Sequence, residues 1–381
     1  MAPRDRGETH RTATPLELFF DLCFVVAVAQ AAGRLHHAEA EAHIASGLLG
    51  YVMVFFAIWW AWMNFTWFAS AYDTDDVPYR LLTLLQMAGV LVLAAGVPAG
   101  LTEYDFTIVT LGYVLMRIAQ VGQWLRAARE HPEGRAATFR YAIGISLVQL
   151  GWLLRLLLPK PFDEVGFLVL ALCELAIPIW AEGHGRVTTW HPVHIRERYG
   201  LFTIIVLGEV VLASSTAVQS GLTEFGFSMR LLVVATGGMV VVFSLWWMYF
   251  AGAETPLRSQ RIALVWGYGH ALVFGSIAAV GAGLEVAVDE AAGAGNVSQR
   301  ASALTVAVPL VAFVLVLAAL HRFTGALGSE HLAVVGAGAV VLLTTAFVAP
   351  LFGIAATVAV LGLVLAGTVA GNIVLLARRG A

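Results

Sequence analysis

Residues 14–30 read TPLELFFDLCFVVAVAQ, an apolar run that carries Glu17 and Asp21 four residues apart. On an α-helix that spacing puts both carboxylates on one face. A carboxylate near a bilayer centre costs about 2.5–3.5 kcal/mol on insertion scales, so it faces protein or water and usually has a task. The run is therefore read as a helix that crosses a membrane with one polar face turned inward.

The whole chain supports that reading. It is 59% hydrophobic and 12% charged, against about 25% charged in soluble domains. The predicted class is all-α: a polytopic integral membrane protein. Net charge is −3, which suggests no nucleic-acid partner. Arg4, Arg6 and Arg11 ahead of an apolar run, followed by Ala29-Gln30-Ala31, have the outline of a signal peptide. Glu17 and Asp21 argue against it, because a signal core is apolar, and a retained first helix is expected. Cys23 and Cys173 both lie in apolar runs and read as small packing residues.

Apolar runs of about 20 residues are needed to cross the hydrocarbon layer. About twelve are present, near 15–35, 44–70, 79–99, 105–126, 138–158, 165–183, 199–219, 229–252, 260–283, 302–322, 331–348 and 352–377. Their connections are short, so residues 1–381 form a single transmembrane domain. Basic residues favour cytoplasmic loops. With the N-terminus inside, the outer segments hold only Arg34, Arg155, Lys160, Arg230 and Arg300. The inner ones hold most of the rest, including Arg4, Arg6, Arg11, Arg186, Arg378 and Arg379. Both termini are expected in the cytoplasm and the protein in the inner (cytoplasmic) membrane.

An internal duplication is suggested. WFASAYDT (67–74) and YFAGAET (249–255) each follow a tryptophan pair, Trp59-Trp60 and Trp246-Trp247. Each leads into a proline and an arginine, Pro78 and Arg80 or Pro256 and Arg258. The implied plan is a parallel 6+6 repeat, 1–190 and 191–381, as in many transporters. The last three helices are mostly apolar and read as scaffold.

Other polar residues sit where apolar ones are expected. In HPVHIRERYGLFTIIVLGEVVLAS (191–214), Glu197 and Arg198 follow His194 by three and four residues, which places them on one helical surface. The bland reading is a solvated helix start. Glu209 is harder to dismiss, since it falls in the middle of an apolar run. Tyr113, Arg117, Gln120 and Trp124 recur as one helical stripe. Arg117 needs a carboxylate neighbour, with Asp21, Glu174 and Glu209 as candidates. Glu174, Tyr268 and His270 stand singly, and a lone His is more often a satisfied core residue than a ligand. Asn64, Gln30, Gln86 and Gln149 are candidate interhelical hydrogen bonders. Most tryptophans read as an interfacial aromatic belt. Walker, Rossmann, HExxH and CxxC motifs are lacking, so no cofactor and no metal are expected.

PLELFFDLCFV (15–25) with HxxERYGLFTIIVLGE (194–209) resembles the bacterial low temperature requirement A family, and WWMYF (246–250) and YGH (268–270) fit the same pattern. The resemblance spans nearly the whole chain and marks Glu17, Asp21, His194, Glu197, Arg198 and Glu209 as the family's characteristic polar residues. Cys23 stands where the pattern implies an aliphatic residue. The resemblance implies a polytopic membrane protein, and the family name records a growth requirement in the cold rather than a reaction. Two functions are open on the residues: a proton- or ion-coupled secondary transporter of a small molecule, or a membrane-embedded enzyme acting on a lipid or isoprenoid by carboxylate acid/base chemistry. Membrane lipid is the expected surrounding partner in either case.

Overall fold

The computed structural model describes residues 1, 3–4, 12–72, 74–183, 188–251, 257–326 and 328–380. Among them the regular structure is entirely helical: α1 (Pro15–Ala40), α2 (Ile44–Tyr72), α3 (Val77–Thr102), α4 (Thr107–Glu130), α5 (Arg135–Arg155), α6 (Phe162–Glu182), α7 (Pro192–Phe225), α8 (Met229–Phe250), α9 (Gln260–Ala292), α10 (Gln299–Phe323), α11 (Ser329–Phe347), α12 (Ala349–Phe352) and α13 (Ile354–Gly380). Among the described residues, eleven helices are long and apolar enough to cross a membrane. The segment read as a span at 105–126 is α4, which falls outside that set. It carries Arg117, Gln120, Gln123, Arg126, Arg129 and Glu130 along its length. Arg6, Arg11, Arg186, Asp73 of the first repeat signature, and residues 252–256 of the second lie outside the described residues, as do the side chains of Arg378 and Arg379.

Helix starts follow local chemistry. Asp76, Ser228, Ser259 and Ser298 each accept a hydrogen bond from the backbone N–H three residues on, opening α3, α8, α9 and α10. Thr14 and Glu17 form a reciprocal pair at the start of α1: Thr14 N donates to Glu17 Oε2 at 2.8 Å, and Glu17 N donates to Thr14 Oγ1 at 3.2 Å. This is the T-x-x-E capping box, and it satisfies two backbone donors. The α9 helix ends at Gly293, whose φ of 92° needs a residue without a Cβ.

The chain packs as two compact units. The first comprises Met1–Gln30 with Phe56–Leu201, and the second Ala31–Phe55 with Phe202–Ala381. In the first, α3 packs on α4, α4 on α5, and α5 on α6. The α3–α4 contact depends on glycine. A Cβ on Gly112 would sit 2.5 Å from Leu93 N and 2.7 Å from Gly89 O, so the two backbones touch directly. Gln86 Nε2 donates to Gln123 Oε1 at 2.9 Å across the same pair of helices. In the second unit α8 packs on α13, α9 on α10, and α10 on α11.

Candidate functional site

Two buried polar clusters occupy the first unit, on opposite sides of α2. The first begins with the α1 face that carries Glu17 and Asp21. It meets the α7 face that carries His194 and Arg198, again four residues apart. Glu17 Oε1 lies 3.1 Å from His194 Nε2 and 3.2 Å from Arg198 Nη1. Asp21 Oδ1 accepts from Arg198 Nη2 and, at 2.7 Å, from Trp62 Nε1. Arg198 Nη2 also reaches Thr66 Oγ1 at 3.3 Å. Trp62 and Thr66 are four apart on α2, so one α2 face completes the cluster. These side chains are shut away from solvent: Asp21, His194 and Arg198 are each 0% exposed.

The arrangement is chemically unbalanced. Two carboxylates face one permanent cation and one imidazole, so fixed negative charge exceeds fixed positive charge by one. Glu17 has a double duty, with Oε2 capping the helix and Oε1 facing the cations. Asp21 spends only one oxygen. Its Oδ2 is buried and has no hydrogen-bond partner among the described residues. Glu197 points elsewhere, accepting from Ala13 N at 3.2 Å.

The second cluster centres on Glu174 of α6. Its carboxylate accepts from Arg117 Nη2 at 3.0 Å, Trp60 Nε1 at 2.8 Å and Trp152 Nε1 at 3.3 Å. Arg117 further donates from Nη1 to Gln120 Oε1 at 2.5 Å. The Tyr113–Arg117–Gln120–Trp124 stripe is buried along its length. Of the three candidate neighbours for Arg117, the structure assigns Glu174. Asp21 has a different counter-charge, Arg198, because Trp60 and Trp62 sit about 200° apart around α2 and serve opposite sides.

Glu209 belongs to the second unit. It is buried in α7, and no hydrogen bond or ion pair reaches it among the described residues. Tyr268 is half-buried. His270 is a core residue with both ring nitrogens engaged. Nδ1 lies 2.7 Å from Trp266 O, and a carbonyl can only accept, so Nδ1 carries the proton. Nε2 then accepts from Tyr249 Oη at 3.2 Å.

The belt reading of the tryptophans fails for Trp59, Trp60 and Trp62, which are buried. Trp60 and Trp62 serve as hydrogen-bond donors to the buried carboxylates of Glu174 and Asp21, a role the sequence reading did not assign. Trp246 and Trp247 are exposed, by contrast. Asn64 bonds its own helix at Trp60 O rather than a neighbour. Glu182 was also passed over. It is buried at the end of α6 and accepts from Tyr141 Oη and Thr188 Oγ1, each at 2.7 Å. Its position beside a loop gave no signal in the sequence.

Long apolar helices with charged side chains buried among them define a multi-pass helical membrane protein with an ion-paired interior. The chain belongs to the family described as bacterial low temperature requirement A protein (LtrA), whose model matches residues 12–366. It is also similar to an uncharacterized protein of Rhizobium meliloti (strain 1021), with 27% identity over 285 residues. The aligned part is 68% of this chain and 66% of that protein, just under two thirds of its length.

Proposed function

We propose that the chain is a proton- or ion-coupled secondary transporter of a small molecule, resident in the cytoplasmic membrane with both termini inside. One observation carries the reading: Glu17, Asp21, His194 and Arg198 form a fully buried network whose net charge changes with one proton. The unpartnered Asp21 Oδ2 is a place to put it. Charge-neutral and charged forms of such a network differ in how readily they sit in a low-dielectric interior, which is the free-energy difference that coupling requires. The excess of Arg in the inner loops supports the orientation.

The enzyme reading needs an acid or base at an apolar pocket. A 430 Å³ cavity in the second unit lies between α7, α8 and α9. Ser214, Ser215 and Gln219 are its polar lining residues, and no carboxylate or imidazole lines it. An imidazole, His321, does line a smaller apolar pocket of the same unit, so the carrier is preferred on the buried charge network and not on the pockets.

The test uses purified protein in liposomes with a trapped pH-sensitive dye and an imposed pH gradient, screened against small-molecule solutes. A solute that moves protons with wild type should move none with Asp21→Asn or Glu17→Gln. Undiminished proton movement in both variants rules the reading out.

A further inference from the structure

A second acidic cluster lies in the second unit, apart from the residues assigned above. His36 and Glu39 are three residues apart on α1, and Glu285 and Asp289 four apart on α9, so each pair shares a helix face. The two faces meet. His36 Nε2 lies 2.7 Å from Asp289 Oδ2, and His36 Nδ1 lies 3.7 Å from Glu285 Oε2. Glu39 is 6% exposed, its Oε2 has no hydrogen-bond partner among the described residues, and Glu285 is near enough to repel it. Glu209 of α7 adds a further carboxylate within electrostatic reach of Glu285. Tyr51 of α2 also faces Glu39, but its hydroxyl donates to Gly275 O at 2.7 Å. No Arg or Lys ion pair reaches these carboxylates among the described residues.

Like charges packed this closely in an apolar setting cannot all ionise. We infer that Glu39 and Glu285 hold one exchangeable proton between them, with His36 and Asp289 as its route to water. One contact of a relay is formed, His36 to Asp289, and the other, His36 Nδ1 to Glu285, must close from 3.7 Å for the proton to pass. An imidazole that donates from Nε2 to Asp289 presents a free Nδ1 lone pair toward Glu285. Nδ1 takes the proton from the Glu285 carboxyl as Nε2 gives its own to Asp289, and the net transfer is one proton. Glu39 is buried, and side-chain exposure goes from 16% at both Glu285 and His36 to 37% at Asp289. This site stands whether or not the chain is a carrier.

The test is infrared difference spectroscopy of the full chain in phosphatidylcholine nanodiscs, titrated in pH and, at fixed pH, in sodium or potassium. Wild type should show a protonated carboxyl band near neutral pH that bleaches as pH rises. Glu39→Gln and Glu285→Gln should each remove the same share of it, a share that Asp21→Asn and Glu209→Gln leave in place, so either variant suffices if the other fails to fold. A band of full strength in both Glu39→Gln and Glu285→Gln overturns the proposal. So does bleaching by sodium or potassium at fixed pH, which would make a metal cation the ligand.

Discussion

Arg198 and Asp21 are joined by a hydrogen bond between α7 and α1 across 177 residues of sequence, with both side chains fully buried. Arg198 reaches Glu17 as well, at 3.2 Å. One guanidinium therefore ties the two faces together, and its planar fork suits that task better than a point charge.

Replacing Arg198 with Met should strand two carboxylates in an apolar interior. Breaking a buried pair in this way costs about 3–5 kcal/mol. The check is thermal unfolding in detergent, followed by tryptophan fluorescence. Arg198→Lys should fall between wild type and Arg198→Met, because one ammonium serves only one of the two carboxylates well. An unchanged midpoint in Arg198→Met would show that the network contributes nothing to the fold.

Glu174 gathers three donors, so its two obvious replacements should differ. Glu174→Gln keeps an acceptor for one indole N–H but leaves Arg117 as an unpaired buried charge. Glu174→Leu strands Arg117 and both indoles, adding about 1–3 kcal/mol for each donor left unsatisfied. Thermal unfolding should therefore rank wild type above Glu174→Gln and Glu174→Leu last. Combining Arg117→Met with Glu174→Gln should cost less than the sum of the single changes, since the members of a pair couple. Equal midpoints for the two Glu174 variants would contradict the three-donor geometry.

Asp76 offers a pH test outside the helical spans. Its carboxylate accepts from Arg126 Nη1 at 2.7 Å and also from Nη2, and it caps α3 through Tyr79 N. The Arg126 hydrogen bonds come first among the causes that hold its pKa down at about 2, against an ordinary value near 3.8. A group with a lower pKa in the folded state than in the unfolded one stabilises the fold above the unfolded value. That contribution is lost as pH falls from about 4 toward 2. Asp76→Asn keeps the capping oxygen and removes the charge, so its stability should fall less steeply over this window. Parallel acid unfolding curves for the two proteins would refute the assignment.

Parts of this architecture were plain from local pattern. The T-x-x-E start of α1 is a short-range signal, and the capping box formed as Thr14 and Glu17 allow. The need of Arg117 for a carboxylate also followed from its place in an apolar run. Its partner did not, because Asp21, Glu174 and Glu209 all satisfied the same charge argument. Trp60 and Trp62 were opaque for a related reason: an indole is apolar enough for a membrane belt and polar enough to donate one N–H, and only its neighbours decide. His36 and Glu39, at the end of α1, gave no signal in the sequence, and only the fold brings Glu285 and Asp289 of α9 against His36.

The sequence by itself determined the class of protein, the helical content and which turns of helix carry charge, since these depend on composition and on a 3.6-residue period. It also determined the family, through long contiguous motifs. Tertiary structure decided the pairings: Arg198 with Glu17 and Asp21, Arg117 with Glu174, and His36 with Asp289. Coulomb attraction is indifferent to sequence distance and demands only opposite charge at close range. Several pairings of these residues met that demand on paper, and only the packing of the helices selected among them.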